Sequence, residues 1–302
     1  MSVTPIRIAV AIASYKRPDD LAALLASIEA MDVSPDLHVI VVDNDLNGSA
    51  EDVARASRLN VDYVVEAKPG IAAARNASLD RLPPDATHVV FVDDDEIVPV
   101  AWMDALLDVA NRYEAEIVCG PVRTIFPPEA PRWIERGGYI QRSPEAEGLT
   151  SRTPATNNTL LSLAAYRRAG SPRFDESFSA TGGSDTDFFT RLIASSGAKV
   201  AWAPCAEVTE LAPPDRLRFR WIMRRYIRIN NVSGRLILRS TPPWKLAVRA
   251  VVHIAVGTAK TALALATGKG LRLRDTAQIT RGLGWIGAAS GRHVQEYQRP
   301  TP

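Results

Sequence analysis

An α/β fold is predicted: a mainly parallel sheet with helices on both faces, followed by a basic helical C-terminal tail. Three observations predict it. Apolar, β-branched runs alternate with helical patterns from Ile6 to Tyr113, the order that builds a parallel sheet. Polar residues gather where those runs end, at Ser14-Tyr15-Lys16-Arg17, Asp43-Asn44-Asp45 and Asp93-Asp94-Asp95-Glu96. Charge divides unevenly, with 19 Lys/Arg against 32 Asp/Glu up to Asp215, then 17 against two from Arg216 onward.

The elements follow in order. Ile6 to Ala13 reads as a strand buried on both faces. Pro18 and Asp19 open a helix with Leu21, Leu24, Leu25 and Ile28 on one face. Leu37 to Val42 is a second strand, and Ser49 to Arg58 a helix with a capping-box start at Ser49 and Asp52. Val61 to Val65, Ile71 to Leu82, His88 to Val92 and Val100 to Tyr113 continue as strand, helix, strand, helix. One strand is expected from Glu116 to Phe126, then a long excursion from Pro127 to Thr153. A strand from Asn157 to Leu163, a Gly-Gly turn into a helix from Gly182 to Ser195, and a strand from Lys199 to Ala203 complete the core. Arg216 to Leu238 reads as a basic helix or two, and Trp244 to Thr267 as a helix apolar on one side. The expected division is an α/β domain over residues 1–215 and a basic helical region over 216–302, serving as lid, membrane contact or both.

Bulk properties narrow the classes. A chain of 302 residues, 46% hydrophobic and 23% charged, suits one large domain with or without a tail, and opposes disorder. Cys119 and Cys205 form no CxxC pair or metal pattern, so both are read as reduced and structural, in a reducing compartment. The first apolar run lacks the shape of a signal peptide, and no window of about 20 uninterrupted apolar residues marks a membrane span.

The chemistry centres on FVDDDE. Four consecutive acids after an apolar strand repel one another unless positive charge lies among them. A solvated acidic loop is the plain reading. At the carboxyl end of a central buried strand, where α/β sheets bind ligands, a divalent cation on a diphosphate fits better. A second acidic motif, Asp185 and Asp187 in GGSDTDFF, reads either as a helix N-terminus favoured by the helix dipole or as a source of a general base.

The ordered set VAIASYKRPDDL, VIVVDND, KPGIAAARNASLD, VVFVDDDEIVPVAWM and GGSDTDFF resembles the family-2 glycosyltransferases, with their GT-A fold. EIVCGPVRTIF, APRWIERGG and TPATNNTLL are similar to exopolysaccharide glycosyltransferases of the succinoglycan-assembly type. The resemblance runs from about Ile6 to Asp215. It implies a nucleotide-sugar-dependent, inverting transferase, with UDP as the expected nucleotide. Ala13, Tyr15 and Arg17 would line the base pocket, and Asp43 would accept hydrogen bonds from the base. Arg75 and Asn76 would touch the nucleotide or the acid cluster. Asp93 would contact the ribose side, Asp94 would stand with it at the donor diphosphate, and Asp95 would ligate a divalent cation, Mn²⁺ or Mg²⁺. Asp185 would be the catalytic base, with Asp187 the second candidate.

Two positions depart from the family pattern. Ser184 stands where Glu usually precedes the base, and Thr209, followed by Glu210, stands where the family often has a metal-binding His. Metal would then rest on Asp95, phosphate and water, with Glu210 a possible helper. In RWIMRRYIR, Arg224 or Arg225 would neutralise the diphosphate, or the stretch would lie on anionic lipid together with Trp244 to Thr267; the second reading suits most of it. The expected acceptor is a saccharide or lipid-linked saccharide, with Trp133 a candidate contact. The expected location is cytoplasmic, peripheral at the inner face of the cytoplasmic membrane. A sugar-1-phosphate nucleotidyltransferase is disfavoured because ASYKRPDD, after the first strand, has no glycine. A nucleic-acid-binding protein is disfavoured by the acidic N-terminal part, so no nucleic-acid partner is expected.

Overall fold

The computed structural model describes residues 5–31, 36–141, 145–179, 181–270 and 272–292. Residues 1–4, the start of the segment read as no signal peptide, lie outside them, as do 142–144 of the excursion. The chain forms two compact units: Met1–Arg123 with Ser143–Ser179 and Ser184–Glu210, and Thr124–Arg142 with Ala180–Gly183 and Leu211–Pro302.

The first unit is built on β1 (Arg7–Ser14), β2 (Asp36–Asp43), β3 (Val61–Val65) and β4 (His88–Asp93), all parallel, in the order β3-β2-β1-β4. Successive side chains of β1 point to opposite faces, and both faces are buried. Ile8, Val10 and Ile12 join Leu21, Leu24, Leu25 and Ile28 of α1 (Pro18–Glu29) and Trp102 of α4 (Trp102–Tyr113), with α2 (Glu51–Ala56) nearby. Ala9 and Ala11 join Ala72 and Ala74 of α3 (Ile71–Asp80) on the other face. The apolar runs are continuous because neither face meets water.

Two expectations are corrected. The helix at 49–58 carries no capping box: its N-cap is Ala50 with no side-chain cap, and Ser49 Oγ instead accepts from Lys16 N at 3.2 Å. Asp43 performs the capping task from the preceding strand, with its Oδ2 accepting from Ala50 N at 2.7 Å. The single strand at 116–126 is two strands: β6 (Ile117–Cys119) stays in the large sheet, and β7 (Val122–Ile125) leaves for a small second sheet that also holds β5 (Glu96–Ile97). The break falls at Gly120-Pro121, where a Cβ on Gly120 would lie 2.3 Å from Asn158 Nδ2 and Pro121 offers no N–H to a ladder. The excursion is partly ordered, containing α5 (Arg132–Arg136) and β8 (Gly148–Leu149).

The remaining strand, β9 (Thr159–Ser162), enters antiparallel between β4 and β6, and α6 (Leu163–Arg168) follows it. α7 (Ser184–Ser196) and β10 (Val200–Trp202) complete the large sheet's side, and β11 (Val208–Leu211) pairs antiparallel with β5. Asn158, at φ 56°, is the knot behind β9. Its Oδ1 accepts from Trp102 Nε1 at 2.8 Å, and its Nδ2 donates to the carbonyls of Pro121 and Ala206. Asn158→Ala strands one buried donor and two carbonyls and places Ala at positive φ; a loss of about 2–4 kcal/mol is expected in urea unfolding.

In the second unit Ile134 of α5, with Tyr139 just beyond that helix, packs on Leu217 and on Ile222 of α8 (Phe219–Ile237). α9 (Pro243–Ala266) and α10 (Leu273–Ala289) follow. α10, unassigned from sequence, packs on both α8 and α9. α9 is long and apolar enough to cross a membrane by length and composition. Lys245, Arg249 and Lys260 interrupt its apolar run, so the sequence shows no unbroken apolar span there.

Candidate active site

The carboxyl ends of β1 and β4 lie side by side, with Ala13 opposite Asp93 in register. This brings the β1 end onto the acidic run. Ser14 Oγ donates to Asp94 Oδ2 at 2.9 Å. Arg17 Nη1 reaches Asp95 Oδ2 at 2.7 Å and Asp94 Oδ1 at 3.3 Å. Arg75, from the second turn of α3, donates from Nη2 to Asp93 Oδ1 at 3.2 Å. Two guanidinium groups therefore sit among the three aspartates, positive charge that the repulsion argument requires and that needs no cation to supply it.

Burial supplies the rest. Asp94 is 5% exposed, and burial pushes its carboxyl up to about 7 against the pull of Arg17. Glu96 is fully buried; burial first, then the neighbouring Asp93, drives its carboxyl well above the usual range. Its Oε2 accepts from Asp93 N at 2.9 Å, while Oε1 has no hydrogen-bond partner among the described residues. The run thus carries fewer than four negative charges near neutral pH. A carboxyl whose folded pKa is raised holds its proton where the unfolded chain has lost it, so its stabilising effect is full at low pH and is lost as pH rises toward the folded value. For Asp94 that window runs from about pH 4 to about 7 and is worth at most about 4 kcal/mol. Asp94→Asn is expected to flatten the fall of melting temperature across it; an unchanged slope would contradict this account.

The other predicted residues divide into two groups. Asp43 is fully buried, its Oδ1 accepting from Asp45 N and its Oδ2 from Ala50 N and Tyr63 OH. Three of the roughly four acceptor positions of that carboxylate are occupied, leaving about one for a nucleobase. Asn76 is also buried; its Oδ1 accepts from Phe174 N at 2.8 Å and its Nδ2 donates to Phe174 O at 3.0 Å, so it ties α3 to the segment before α7. Tyr15 is half-buried beside β1, with Lys16 Nζ over its ring at 5.3 Å. Asn44, just past the end of β2, has a structural task that its place in the sequence does not show. It clamps the loop before α3, with Nδ2 donating to the Glu66 and Lys68 carbonyls and Oδ1 accepting from Gly70 N.

Asp185 sits in the first turn of α7, half-buried, its Oδ1 accepting from Thr186 N at 2.8 Å. Its helix is connected to the acid cluster by stacked rings: Phe188 lies 4.0 Å from Phe174, and Phe174 lies 6.0 Å from the Arg75 guanidinium that pairs with Asp93. Asp187, by contrast, is fully buried and its Oδ2 accepts from Arg191 Nε at 2.8 Å. Thr209 pairs with Ile97, and Glu210 stands opposite Glu96, next to the acidic run. Trp133 is packed among aromatics, 5.4 Å from Tyr139 and 5.9 Å from Phe219.

Among the described residues no group of three or more His, Cys, Asp or Glu forms a ready metal cage. Asp95 and Asp93 nonetheless present carboxylate oxygens at the strand end, with side chains 17% and 41% exposed. Such a donor set fits a hard cation that takes its remaining ligands from phosphate and water.

Comparison with known proteins gives the family and the fold. The profile described as Glycosyl transferase family 2 matches residues 9–171. The succinoglycan biosynthesis protein ExoM of Rhizobium meliloti (strain 1021) is 36% identical over 238 residues, 77% of this chain and 75% of its own length. The crystal structure of S. aureus TarS 1-349 matches over 97% of this chain and 93% of its own, at 15% identity and a TM-score of 0.55. The same protein in complex with UDP-GlcNAc matches over 95% and 93%, at 14% identity and a TM-score of 0.53. These neighbours share the GT-A fold, and the profile spans more than half of the chain: the protein belongs to glycosyltransferase family 2.

Proposed function

We propose that the protein moves a sugar from a UDP-sugar to a lipid-linked saccharide, with inversion at the anomeric carbon, during exopolysaccharide or cell-surface glycan assembly. The observation that carries the reading is the cluster of Asp93, Asp94 and Asp95 with Arg17 and Arg75 where β1 and β4 end, joined through Phe174 and Phe188 to the helix bearing Asp185. UDP is supported by the TarS complexes with UDP and UDP-GlcNAc, and glycan assembly by the name of ExoM.

In this reading Ala13, Tyr15 and Arg17 line the base, with Asp43 shaping the adjoining turn. Asp93 meets the ribose side, and Arg75 stands beside it. Asp185 takes the acceptor hydroxyl's proton as that oxygen bonds to the anomeric carbon and the bond to the diphosphate breaks. Asp95 would hold Mn²⁺ or Mg²⁺ together with phosphate and water, and the cation would offset charge on the leaving diphosphate. Residues 1–215 carry the chemistry. Residues 216–302 meet an anionic membrane surface from the cytoplasmic side, as their charge favours.

A panel of nucleotide sugars tests this, with and without Mn²⁺ or Mg²⁺ and with membrane extract as acceptor. UDP release from at least one UDP-sugar is expected. No nucleoside diphosphate from any donor, or pyrophosphate from a nucleoside triphosphate, would count against it.

A further inference from the structure

We infer that α9 lies in the plane of an anionic phospholipid membrane, one face sunk among the acyl chains, while α10 stays on the aqueous side. This rests on the reading that the C-terminal region works at a membrane, and it specifies how.

The outward face of α9 is apolar. Trp244, Val248, Val251 and Val252 are 65%, 59%, 59% and 57% exposed, and helical periodicity places the exposed Ala255 and Ala259 on the same face. The opposite face is already satisfied, with Leu246, Ala250, Gly257 and Ala264 buried. Only 17% of the most apolar 18-residue window is buried, the reverse of a core helix. A contiguous apolar face of this kind marks an interaction site.

Charge selects the occupant. Lys245, Arg249 and Lys260 project along one border of the apolar face, and no acid occurs between Arg216 and Arg274. A basic border beside an apolar face matches an anionic headgroup layer above acyl chains. A second copy would bring the same basic border against itself.

The packing of α10 selects the orientation. At 24 residues α9 is long enough to span, roughly 36 Å. It runs antiparallel to α10 in contact close enough to require glycine. A Cβ on Gly257 would lie 2.7 Å from Ile279 N, and one on Gly282 would lie 2.5 Å from the Ala250 carbonyl. Thr261 Oγ1 donates to Asp275 O at 3.1 Å, and His253 Nδ1 shares a hydrogen bond with Gln278 Oε1. A spanning α9 would draw α10 into hydrocarbon with Arg274, Asp275, Gln278 and Arg281, side chains that are costly there. Lying in the plane, α9 buries its free face and leaves those residues wet.

The test uses the full chain with phosphatidylcholine vesicles, with and without phosphatidylglycerol, and assays UDP release in parallel. Flotation is expected only with phosphatidylglycerol, with release by alkaline carbonate. Lipids brominated high on the acyl chain are expected to quench Trp244, a component lost in Trp244→Phe. The double variant Val248→Glu/Val252→Glu is expected to bind vesicles at least about tenfold more weakly while keeping its circular dichroism and its thermal shift with UDP. Retention through carbonate, or quenching by bromine at the bilayer centre, would overturn the in-plane placement in favour of a span. Absence of vesicle binding, with self-association abolished by the double variant, would overturn it in favour of a second copy. Absence of vesicle binding with UDP release intact would sink the membrane inference and leave the transferase standing. Vesicle binding without UDP release from any donor would count against the UDP-sugar reading and leave α9 at the membrane.

Discussion

Asp185→Asn is expected to slow sugar transfer by roughly 10²–10⁴-fold, the usual contribution of a general base. The thermal shift produced by UDP should be unchanged. The amide has nearly the same shape as the carboxylate, and its oxygen can still accept from Thr186 N, so the first turn of α7 is kept. What it loses is the capacity to take a proton. Asp187 provides the internal control. It is fully buried and held by Arg191, so Asp187→Asn should lower the melting temperature more than Asp185→Asn and slow transfer less. Initial rates and melting curves for both variants decide the matter. Transfer lost in the Asp187 variant and kept in the Asp185 variant would move the base by half a helical turn.

Asp95→Asn is expected to abolish the part of UDP-induced stabilisation that depends on Mn²⁺, and to lower kcat/KM by roughly 10²-fold or more. A hard cation bound by one or two carboxylates plus phosphate depends strongly on each charge. In the ligand-free chain the same change is mild, because Arg17 keeps Asp94 at 3.3 Å when its 2.7 Å partner is neutralised. Ligand-free melting should therefore move by no more than about 1 kcal/mol in stability. Thermal shift with UDP alone, with Mn²⁺ alone and with both separates the two effects. A cation-dependent shift that survives in Asp95→Asn would place the metal on other ligands, with Glu210, opposite Glu96, the next to test.

Much of the frame was legible because local pattern and burial agree. β1, β2 and β4 are apolar on both faces because both faces are covered, and α1 buries the four residues its periodicity names. The failures fall where a distant residue decides. The split between β6 and β7 depends on Asn158 and Ala206 pressing on Gly120, and no local pattern shows that. The N-terminus of α2 is held by Asp43 from β2, not by the Ser49 that local spacing favours. α10 has a Gly-rich sequence of modest helix propensity and owes its place to close packing on α8 and α9. The site shows the same limit. Polar residues at strand ends are visible in sequence, but a carboxylate or amide facing a ligand looks the same as one holding backbone. Asp43 and Asn76 are engaged with backbone groups, whereas Arg17 and Arg75 meet the acid cluster.

Diffraction from crystals grown with UDP and Mn²⁺ most directly tests the placing of Asp95 and Asp185 at one donor site, since the anomalous signal of manganese locates the cation without interpretation of side chains. The account predicts manganese roughly 2.0–2.6 Å from an Asp95 oxygen, the diphosphate at the carboxyl ends of β1 and β4, and the Asp185 carboxylate facing the sugar end of the donor site. Manganese and nucleotide bound away from residues 93–95, or an Asp185 carboxylate with no path to the donor, would contradict it.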